Sequence, residues 1–287
     1  MDNSIELEIA DFELMYDTIA NMTKVSKTTK IVVDGRGFSS SMKTDGRVAR
    51  LDVESDAMKT RGGGVATLCT RELNVLSQIL YKVQKAHQKR RSKDSNPDYS
   101  DVSMTVEEGT RIKVRTNLFK TGFGLVKESA VPSLRTHDFA LDCIAEVKVD
   151  MEDVKELLSS TFVFRDPKGL RVRINHQDDM VRNVAYAELY DPQDPTTNTL
   201  VTKFGNIMDG DLTRKILLDI PRFQVLSLFP VDSFVVKLNR QPCASTDFTI
   251  RGRDGTSVSK YRLMFQYCDD PYAVQRQQES PEGGDAA

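Results

Sequence analysis

The sequence predicts an α+β protein built from two similar domains, each an antiparallel sheet with two helices on one face. Three observations lead to this prediction. Two pairs of segments recur in the same order in the two halves of the chain, short stretches alternate apolar and basic residues, and Asp-Gly dipeptides supply turns between them. Such recurrence indicates a duplicated structural unit, and chance similarity of short apolar segments is the alternative.

The first matched pair predicts a helix near the start of each half. Residues 9–22 match residues 149–160, and both open with an Asp, an apolar residue and a Glu. An aspartate there accepts N–H groups of the first turn, and acids complement the helix dipole. The apolar residues that follow recur at helical spacing. A strand is predicted after each helix, at residues 31–33 and 162–164.

The second matched pair predicts a second helix in each half. Residues 73–77 correspond to residues 223–227, which lie 150 positions later. Each segment follows a predicted strand, at 65–70 and 215–220. In the second copy Pro221 falls in the first turn, where its missing N–H costs nothing.

The remaining elements are strands, turns and connections. Residues 111–115 and 170–174 alternate apolar and basic side chains, which is typical of strands buried on one face. The predicted organisation is a first domain at 1–126, a linker at 127–138, a second domain at 139–268 and a disordered C-terminal tail at 269–287.

Composition excludes several protein classes. There are 40 Lys plus Arg against 42 Asp plus Glu, so the net charge is −2 and the chain is not globally basic. No apolar run approaches the roughly 18 residues of a membrane span, and the acidic N-terminus does not resemble a signal peptide. The four cysteines form no C-x-x-C pair. These features predict a soluble, reduced, intracellular protein without structural zinc or a disulfide framework.

No catalytic arrangement is evident, so the sequence predicts a non-enzyme without cofactor or metal. The three histidines (His87, His137 and His176) lie in polar, loop-like contexts, and a nucleophilic triad would require them to converge from distant loops. The Gly62-Gly63-Gly64 cluster lacks the Lys-Ser or Lys-Thr of a phosphate-binding loop. A nuclease that uses scattered aspartates is an alternative, and metal-dependent DNA cleavage would reveal it.

The helix that begins near residue 71 carries one strongly cationic face. At about 100° per residue, six polar or basic residues fall within an arc of about 80°, opposite the leucines and valines of the same helix. These six are Arg71, Asn74, Gln78, Lys82, Lys85 and Lys89. Residues 82–93 contain six Lys or Arg and no acid. Such a concentration attracts a phosphate backbone without sequence choice, and a solvated helix end or flexible basic loop is the alternative.

These features together resemble the DNA sliding clamps. The similarity is to the proliferating cell nuclear antigen (PCNA) type and to the processivity factors of bacteriophage and viral polymerases. It covers roughly residues 4–268 and is carried by element order and three segments: LCTRELNVLSQILYKV at 68–83, FPVDSFVVKLNR at 229–240 and KYRLMFQY at 260–267.

The resemblance implies a DNA-clamp fold and assembly into a closed ring. Two domains per chain imply a homotrimer whose helices line a central hole for double-stranded DNA. An edge strand near 119–126 would pair with one near 183–190 of the next chain. The DNA-contacting residues would be Arg71, Lys82, Lys85, Lys89, Arg90, Arg91, Lys24, Lys155 and Arg222. The outward acids of the first helix in each half (Glu13, Asp17, Glu152 and Glu156) depart from a cationic lining and put Lys24 and Lys155 in question.

The resemblance also implies protein partners. A DNA polymerase, other replication factors and a clamp loader would bind this ring in the cytoplasm, or in the host cytoplasm or nucleus if the protein is viral. Client peptides would enter an apolar pocket formed by Met42, Val131, Pro132, Leu134 and Pro230. Core packing is the alternative role for Met42 and Pro230. The alternative function is a monomeric β-rich nucleic-acid-binding accessory or structural protein that uses the same basic patch, with no membrane association in either case.

Overall fold

The structure is a computed structural model of the chain. It describes residues 4–44, 49–90, 97–132, 142–164, 171–175, 183–190, 199–210, 212, 216–219, 224, 227–240, 243–253, 255–266 and 268–269.

The chain divides into two compact units. Unit 1 comprises Met1–Asp138 together with Phe248–Leu263, and unit 2 comprises Phe139–Asp247 together with Met264–Ala287. The predicted second domain, 139–268, includes the segment Phe248–Leu263 that here packs with unit 1.

The first half of the chain contains nine strands and two long helices in its described part. They are β1 (Ser4–Ile9), α1 (Phe12–Val25), β2 (Thr29–Val33), β3 (Phe38–Lys43), β4 (Ala49–Ser55), β5 (Met58–Thr60), β6 (Ala66–Thr70), α2 (Leu73–Arg90), β7 (Ser103–Glu107), β8 (Arg111–Arg115) and β9 (Lys120–Gly124). A short 3-10 turn at Glu128–Ala130 follows β9.

The second half begins with the same strand–helix pair. Its described elements are β10 (Cys143–Asp150), α3 (Met151–Ser159), β11 (Arg171–Asn175), β12 (Val184–Tyr190), β13 (Leu200–Gly210), β14 (Ile216–Asp219), β15 (Ser233–Asn239), β16 (Cys243–Arg251), β17 (Val258–Gln266) and β18 (Cys268–Asp269). The second helix predicted for this half, at 223–227, lies mostly outside the described residues.

The sheets are antiparallel at every strand pair whose register is described. In unit 1 the strand orders are β5-β1-β7-β8-β9 and β17-β4-β3-β2-β6, and in unit 2 the order is β18-β14-β11-β12-β13-β10-β15-β16. The α+β class with antiparallel sheets is therefore confirmed.

Strand positions correct one expectation about sheet edges. β9 has β8 on one side and no neighbour on the other among the described strands, as expected for an edge near 119–126. The second edge, expected near 183–190, is wrong. This segment is β12, which is paired with β11 on one side and β13 on the other. Among the described strands, the start of β13 is the part with a single neighbour, β12, because the described pairing of β13 with β10 begins at Asn206.

Most of the predicted elements are confirmed, including α1, α2 and the strands β2, β6, β8, β11 and β14. The predicted capping aspartates differ from each other. The Asp11 carboxylate accepts the Leu14 N–H at 2.9 Å, which satisfies one of the unpaired donors of the first turn. Asp150 occupies the same position before α3, but its side chain forms no capping hydrogen bond.

The strand predicted at 162–164 is wrong, since Ser160–Val163 forms a 3-10 turn. Three hydroxyls at the end of α3 explain the difference. Ser159 and Ser160 each donate to the Glu156 carbonyl at 2.8 Å, and Thr161 donates to the Leu158 carbonyl at 2.9 Å. These bonds satisfy the last helix carbonyls and keep the chain in a tight turn, despite the strand preference of Phe and Val.

The core of unit 1 is aliphatic and lies between its helices and strands. Helices α1 and α2 pack against each other. Their fully buried side chains include Met15, Ile19, Met22, Leu73, Leu76, Leu80 and Val83, which meet Leu7, Ile31, Leu51, Val106, Ile112 and Val114 from the strands. Alternate residues of β8 point away from this core, so its arginines and lysine face outward.

Candidate nucleic-acid interface

Helix α2 exposes the cationic face that the helical wheel predicted. Lys82, Lys85, Lys89 and Arg90 are exposed, whereas Leu73, Leu76, Leu80 and Val83 are buried. Within the described part of the chain none of the four cations forms an ion pair with a carboxylate. We call these four residues the α2 cationic face. Its charges are available to a polyanion because no carboxylate among the described residues pairs with them.

The start of α2 is fixed by contacts with the preceding segments. The Leu73 N–H donates to the Lys27 carbonyl at 2.9 Å, and the Glu72 N–H donates to the Thr70 hydroxyl at 2.9 Å. These bonds use donors that a helix leaves unpaired at its N-terminus. The buried leucines of the next two turns then lie against α1, which sets the direction in which the lysines point.

The end of α2 is fixed by His87, which the sequence placed in a polar, loop-like context and which is in fact buried in the helix. Its Nδ1 lies 3.0 Å from the Val83 carbonyl oxygen, and its Nε2 lies 2.6 Å from a carboxylate oxygen of Asp101. Both ring nitrogens therefore lie within hydrogen-bond distance of an oxygen atom. The other Asp101 oxygen accepts the Asn117 N–H at 2.9 Å. Asp101 thus ties α2 to the turn before β9.

Hydrogen bonding keeps the Asp101 carboxylate ionised. Burial acts to raise its pKa, but the hydrogen bonds from the Asn117 N–H and from His87, together with the charge of His87, outweigh burial and hold the pKa below its ordinary value. Sequence alone did not indicate this link, because His87 and Asp101 are separated by a segment of no clear periodicity.

An aromatic pair borders the α2 cationic face. The Tyr81 side chain is 47% exposed, and its ring centroid lies 6.2 Å from that of Tyr16 on α1. The Lys85 ammonium lies 5.8 Å from the Tyr81 centroid, within cation–π range. Burial, followed by the charge of Asp17, raises the pKa of Tyr16, which keeps its phenol neutral. This pair was not predicted from the sequence, although Tyr81 lies four residues before Lys85 on the same helix.

The other predicted DNA-contacting residues are not all free to bind DNA. The Arg71 guanidinium donates to the Ala130 carbonyl from Nε at 3.1 Å and from Nη2 at 2.9 Å, so it holds the residues after β9. Lys24 donates to the Asn21 side chain at 2.9 Å, and burial lowers the pKa of Lys24. Lys155 is exposed on α3, beside the exposed Glu156. Arg91 and Arg222 lie outside the described residues.

The acids of α1 are partly neutralised within unit 1. Glu13 pairs with Arg253 at 2.8 Å and accepts the Tyr99 hydroxyl at 3.1 Å. Burial, followed by the charge of Glu13, raises the pKa of Asp17. Asp17 is exposed beside Tyr16 in sequence, so an ionised Asp17 carboxylate would oppose a polyanion there.

Four of the five residues predicted to form the client-peptide pocket lie within the described part of the chain. Met42 is 2% exposed, as a core residue would be, and Val131 is 9% exposed. Pro132 and Pro230 are exposed, but Pro230 belongs to unit 2. Leu134 lies outside the described residues.

The start of the linker is attached to unit 1. The Val126 N–H donates to the Cys69 carbonyl of β6 at 2.9 Å. Glu128 forms an ion pair with Lys30, and the Ala130 carbonyl accepts from Arg71. The segment therefore runs beside β6, which brings Val131 and Pro132 to that side of unit 1.

Among the described residues, no group of three or more His, Cys, Asp or Glu side chains is placed to hold a metal ion. None of the described helices combines the length and apolar character that a membrane crossing requires.

Comparison with known proteins identifies the fold. No protein-family model matches the chain, and no curated protein matches it. Solved structures do match. The PCNA of Entamoeba histolytica is 13% identical with a TM-score of 0.62, over 93% of this chain and 100% of that one. The A. fulgidus PCNA, bound to the C-terminal region of FEN-1, is 14% identical with a TM-score of 0.62, over 92% and 99%. The PCNA of Thermococcus kodakaraensis is 10% identical with a TM-score of 0.60, over 93% and 100%. The chain therefore has the PCNA-like clamp fold.

Proposed function

We propose that this protein is a DNA polymerase sliding clamp, a non-enzymatic processivity factor that encircles duplex DNA. The observation that supports this most directly is the α2 cationic face, which a chain with the clamp fold exposes and which no described carboxylate neutralises. On a chain of net charge −2, this concentration of lysines favours weak phosphate contacts at one surface. Weak contacts suffice if the ring is closed, since a closed ring cannot leave DNA sideways.

Strand edges support a head-to-tail ring. Within unit 1, β17 lies beside β4, and the Ser259 hydroxyl lies 2.8 Å from that of Ser55 and 2.7 Å from that of Thr18 on α1. β13 follows β12 in the second half as β4 follows β3 in the first. Residues 200–203 of β13 have no second neighbour among the described strands. We infer that β9 of one chain adds to this edge of the next, as β17 does to β4.

This contact is heterologous, so it closes only if its rotation generates a ring. Two domain copies per chain favour three chains, hence a homotrimer. Strand addition also removes two exposed edges that would otherwise invite aggregation. One similar protein, the A. fulgidus PCNA, is bound to the C-terminal region of FEN-1, and by analogy we expect a client-peptide site near Val131 and Pro132. A polymerase tethered there would gain local concentration on DNA. A clamp loader would place the ring.

The test of the α2 cationic face uses matched triple variants. We expect K82A/K85A/K89A to weaken duplex binding and to reduce the slope of log K against log salt by about one unit per lysine. The control is K43A/K127A/K260A, which removes three exposed lysines elsewhere in unit 1. An equal loss of duplex affinity in both variants would mean that net charge alone determines binding. Loss of oligomerisation in the first variant would mean that the α2 cationic face is a contact between subunits instead.

The test of encirclement uses topology. The protein is first threaded onto bead-bound linear plasmid through its free ends, and ligase then closes the circle. The beads are washed in high salt, and the plasmid is then cut once. A ring is retained on the circle and released by the cut. A monomeric binder, the alternative function, is removed by the salt wash and is indifferent to the cut. Light scattering at several concentrations gives the oligomeric state, and a strict monomer would contradict the clamp.

A further inference from the structure

An exposed aromatic side chain at a cationic surface needs a physical explanation. Tyr81 leaves about half of its side chain in solvent, although the same helix buries leucines on its other side. Relative to Tyr81, the wheel places Lys85 at about 40°, Lys89 at about 80° and Lys82 at about 100°. The Tyr81 ring therefore lies at the edge of the row of lysines, on the side of that row that faces α1.

Tyr16 completes this edge from the other helix. The two rings are tilted by 32° with centroids 6.2 Å apart, so neither covers the face of the other as a parallel stack would. The Lys85 ammonium lies near the Tyr81 ring. The described surface thus offers aromatic faces and a row of cations at one place.

Duplex DNA offers no base face to these tyrosines, because its bases are stacked on one another. Phosphate contact with a duplex requires only the lysines. An unpaired base, in contrast, presents a π-face that a tyrosine can stack on while cations contact the neighbouring phosphates. The chemistry of this edge therefore fits single-stranded nucleic acid better than it fits duplex.

We propose that Tyr81, with Tyr16 beside it, is a stacking site for an unpaired base of single-stranded nucleic acid whose phosphates follow Lys85 and Lys89. This inference rests on the proposed function in taking the α2 cationic face as the nucleic-acid interface, and it adds a second ligand class to that face. Asp17 is exposed and lies next to Tyr16 in sequence, so its charge opposes phosphates on that side of the tyrosine pair.

The test measures binding of labelled dT20 and of a labelled 20-base-pair duplex in the same buffer. Y81L removes the ring at similar volume, and Y81F retains it. Y81L loses about five- to tenfold affinity for the single strand and less than twofold for the duplex, and Y81F keeps both affinities. Unchanged single-strand binding by Y81L, or equal loss on both ligands, overturns the proposal.

The lysine variant separates the two proposals. If K82A/K85A/K89A leaves duplex binding unchanged, the cationic face is not the duplex interface, whatever Tyr81 does. A crosslinking measurement on the unaltered protein removes any dependence on how the variants fold. Irradiation with a single strand that carries 5-iododeoxyuridine gives an adduct on the Tyr81 or Tyr16 peptide, and adducts confined to other peptides contradict the stacking site.

Discussion

Asp101 connects two parts of unit 1 through its two carboxylate oxygens. One of its oxygens bonds His87 at the end of α2, and the other accepts the Asn117 N–H in the turn before β9. The helix that carries the lysines and the strand proposed to join the next chain therefore share one carboxylate. Removing it leaves a buried imidazole without its anionic partner, which costs more than the net worth of the bond itself.

We expect D101N to lower the free energy of unfolding by about 1–3 kcal/mol, as measured by urea denaturation. The matched control is D98N. The Asp98 carboxylate also accepts an N–H, that of Ser100 at 2.8 Å, but it is fully exposed. A cost that is equal in both variants would mean that the contact with His87 contributes nothing.

The sign of the pH dependence follows from the lowered pKa of Asp101. A carboxylate whose pKa is lower in the folded state stabilises the fold fully above its unfolded pKa of about 3.9, and this contribution falls as the pH drops through the folded pKa. The difference between wild type and D101N should therefore be constant from pH 6 to about 5 and shrink below about 4. A difference that grows with acid would contradict the assignment.

Among the elements, the helices α1 and α2 were predictable and the turn directly after α3 was not. Local periodicity identified α1 and α2, because burial of one face sets the spacing of their apolar residues. At 162–164 the side-chain composition favoured a strand, but the hydroxyls of Ser159, Ser160 and Thr161 donate to helix carbonyls and hold a turn there instead. Competition between a local hydrogen bond and a strand is invisible to apolar patterning.

The duplicated helix starts offer an internal comparison of capping. We expect D11A to destabilise unit 1 by about 1 kcal/mol, because the Asp11 carboxylate holds the Leu14 N–H at the N-terminus of α1. D150A, at the matching position before α3, should cost less, since no capping bond is lost there. Hydrogen exchange resolved by residue measures both, and the Leu14 amide should lose protection in D11A alone. Equal loss of protection in the first turns of α1 and α3 would refute the distinction.

At the scale of the whole molecule, the cationic side of α2 could be read from the sequence but its surroundings could not. The wheel places Lys82, Lys85 and Lys89 together because they share one helix. The bond from Arg71 to the Ala130 carbonyl and the pairing of Tyr81 with Tyr16 join residues far apart in sequence. The edge of β13 likewise depends on which strands lie beside it. Contacts between residues far apart in sequence depend on how the helices and strands are arranged, and the spacing of residues along the chain does not reveal them.

The proposed ring makes a prediction about the edge of β13. Val201 is 37% exposed on the part of the strand that lacks a second described neighbour. A lysine there should oppose strand addition for two reasons. Lys120 and Arg115 near the edge strand β9 are exposed cations, so the new lysine would repel them. Charged side chains also protect sheet edges from pairing with other strands. We expect V201K to raise the dissociation constant of the oligomer at least about tenfold, since a few kcal/mol of lost contact and added repulsion suffice for that change.

The matched control is V65K, which places a lysine at a valine that is 60% exposed between β5 and β6, away from both proposed edges. Sedimentation velocity over a range of concentrations gives the two dissociation constants, and far-ultraviolet circular dichroism checks that both variants fold. If V201K and V65K assemble like the wild type, β13 is not the receiving edge. If both dissociate, net charge governs assembly. Dissociation of V201K alone supports β9 and β13 as the two sides of one head-to-tail contact, repeated around the DNA.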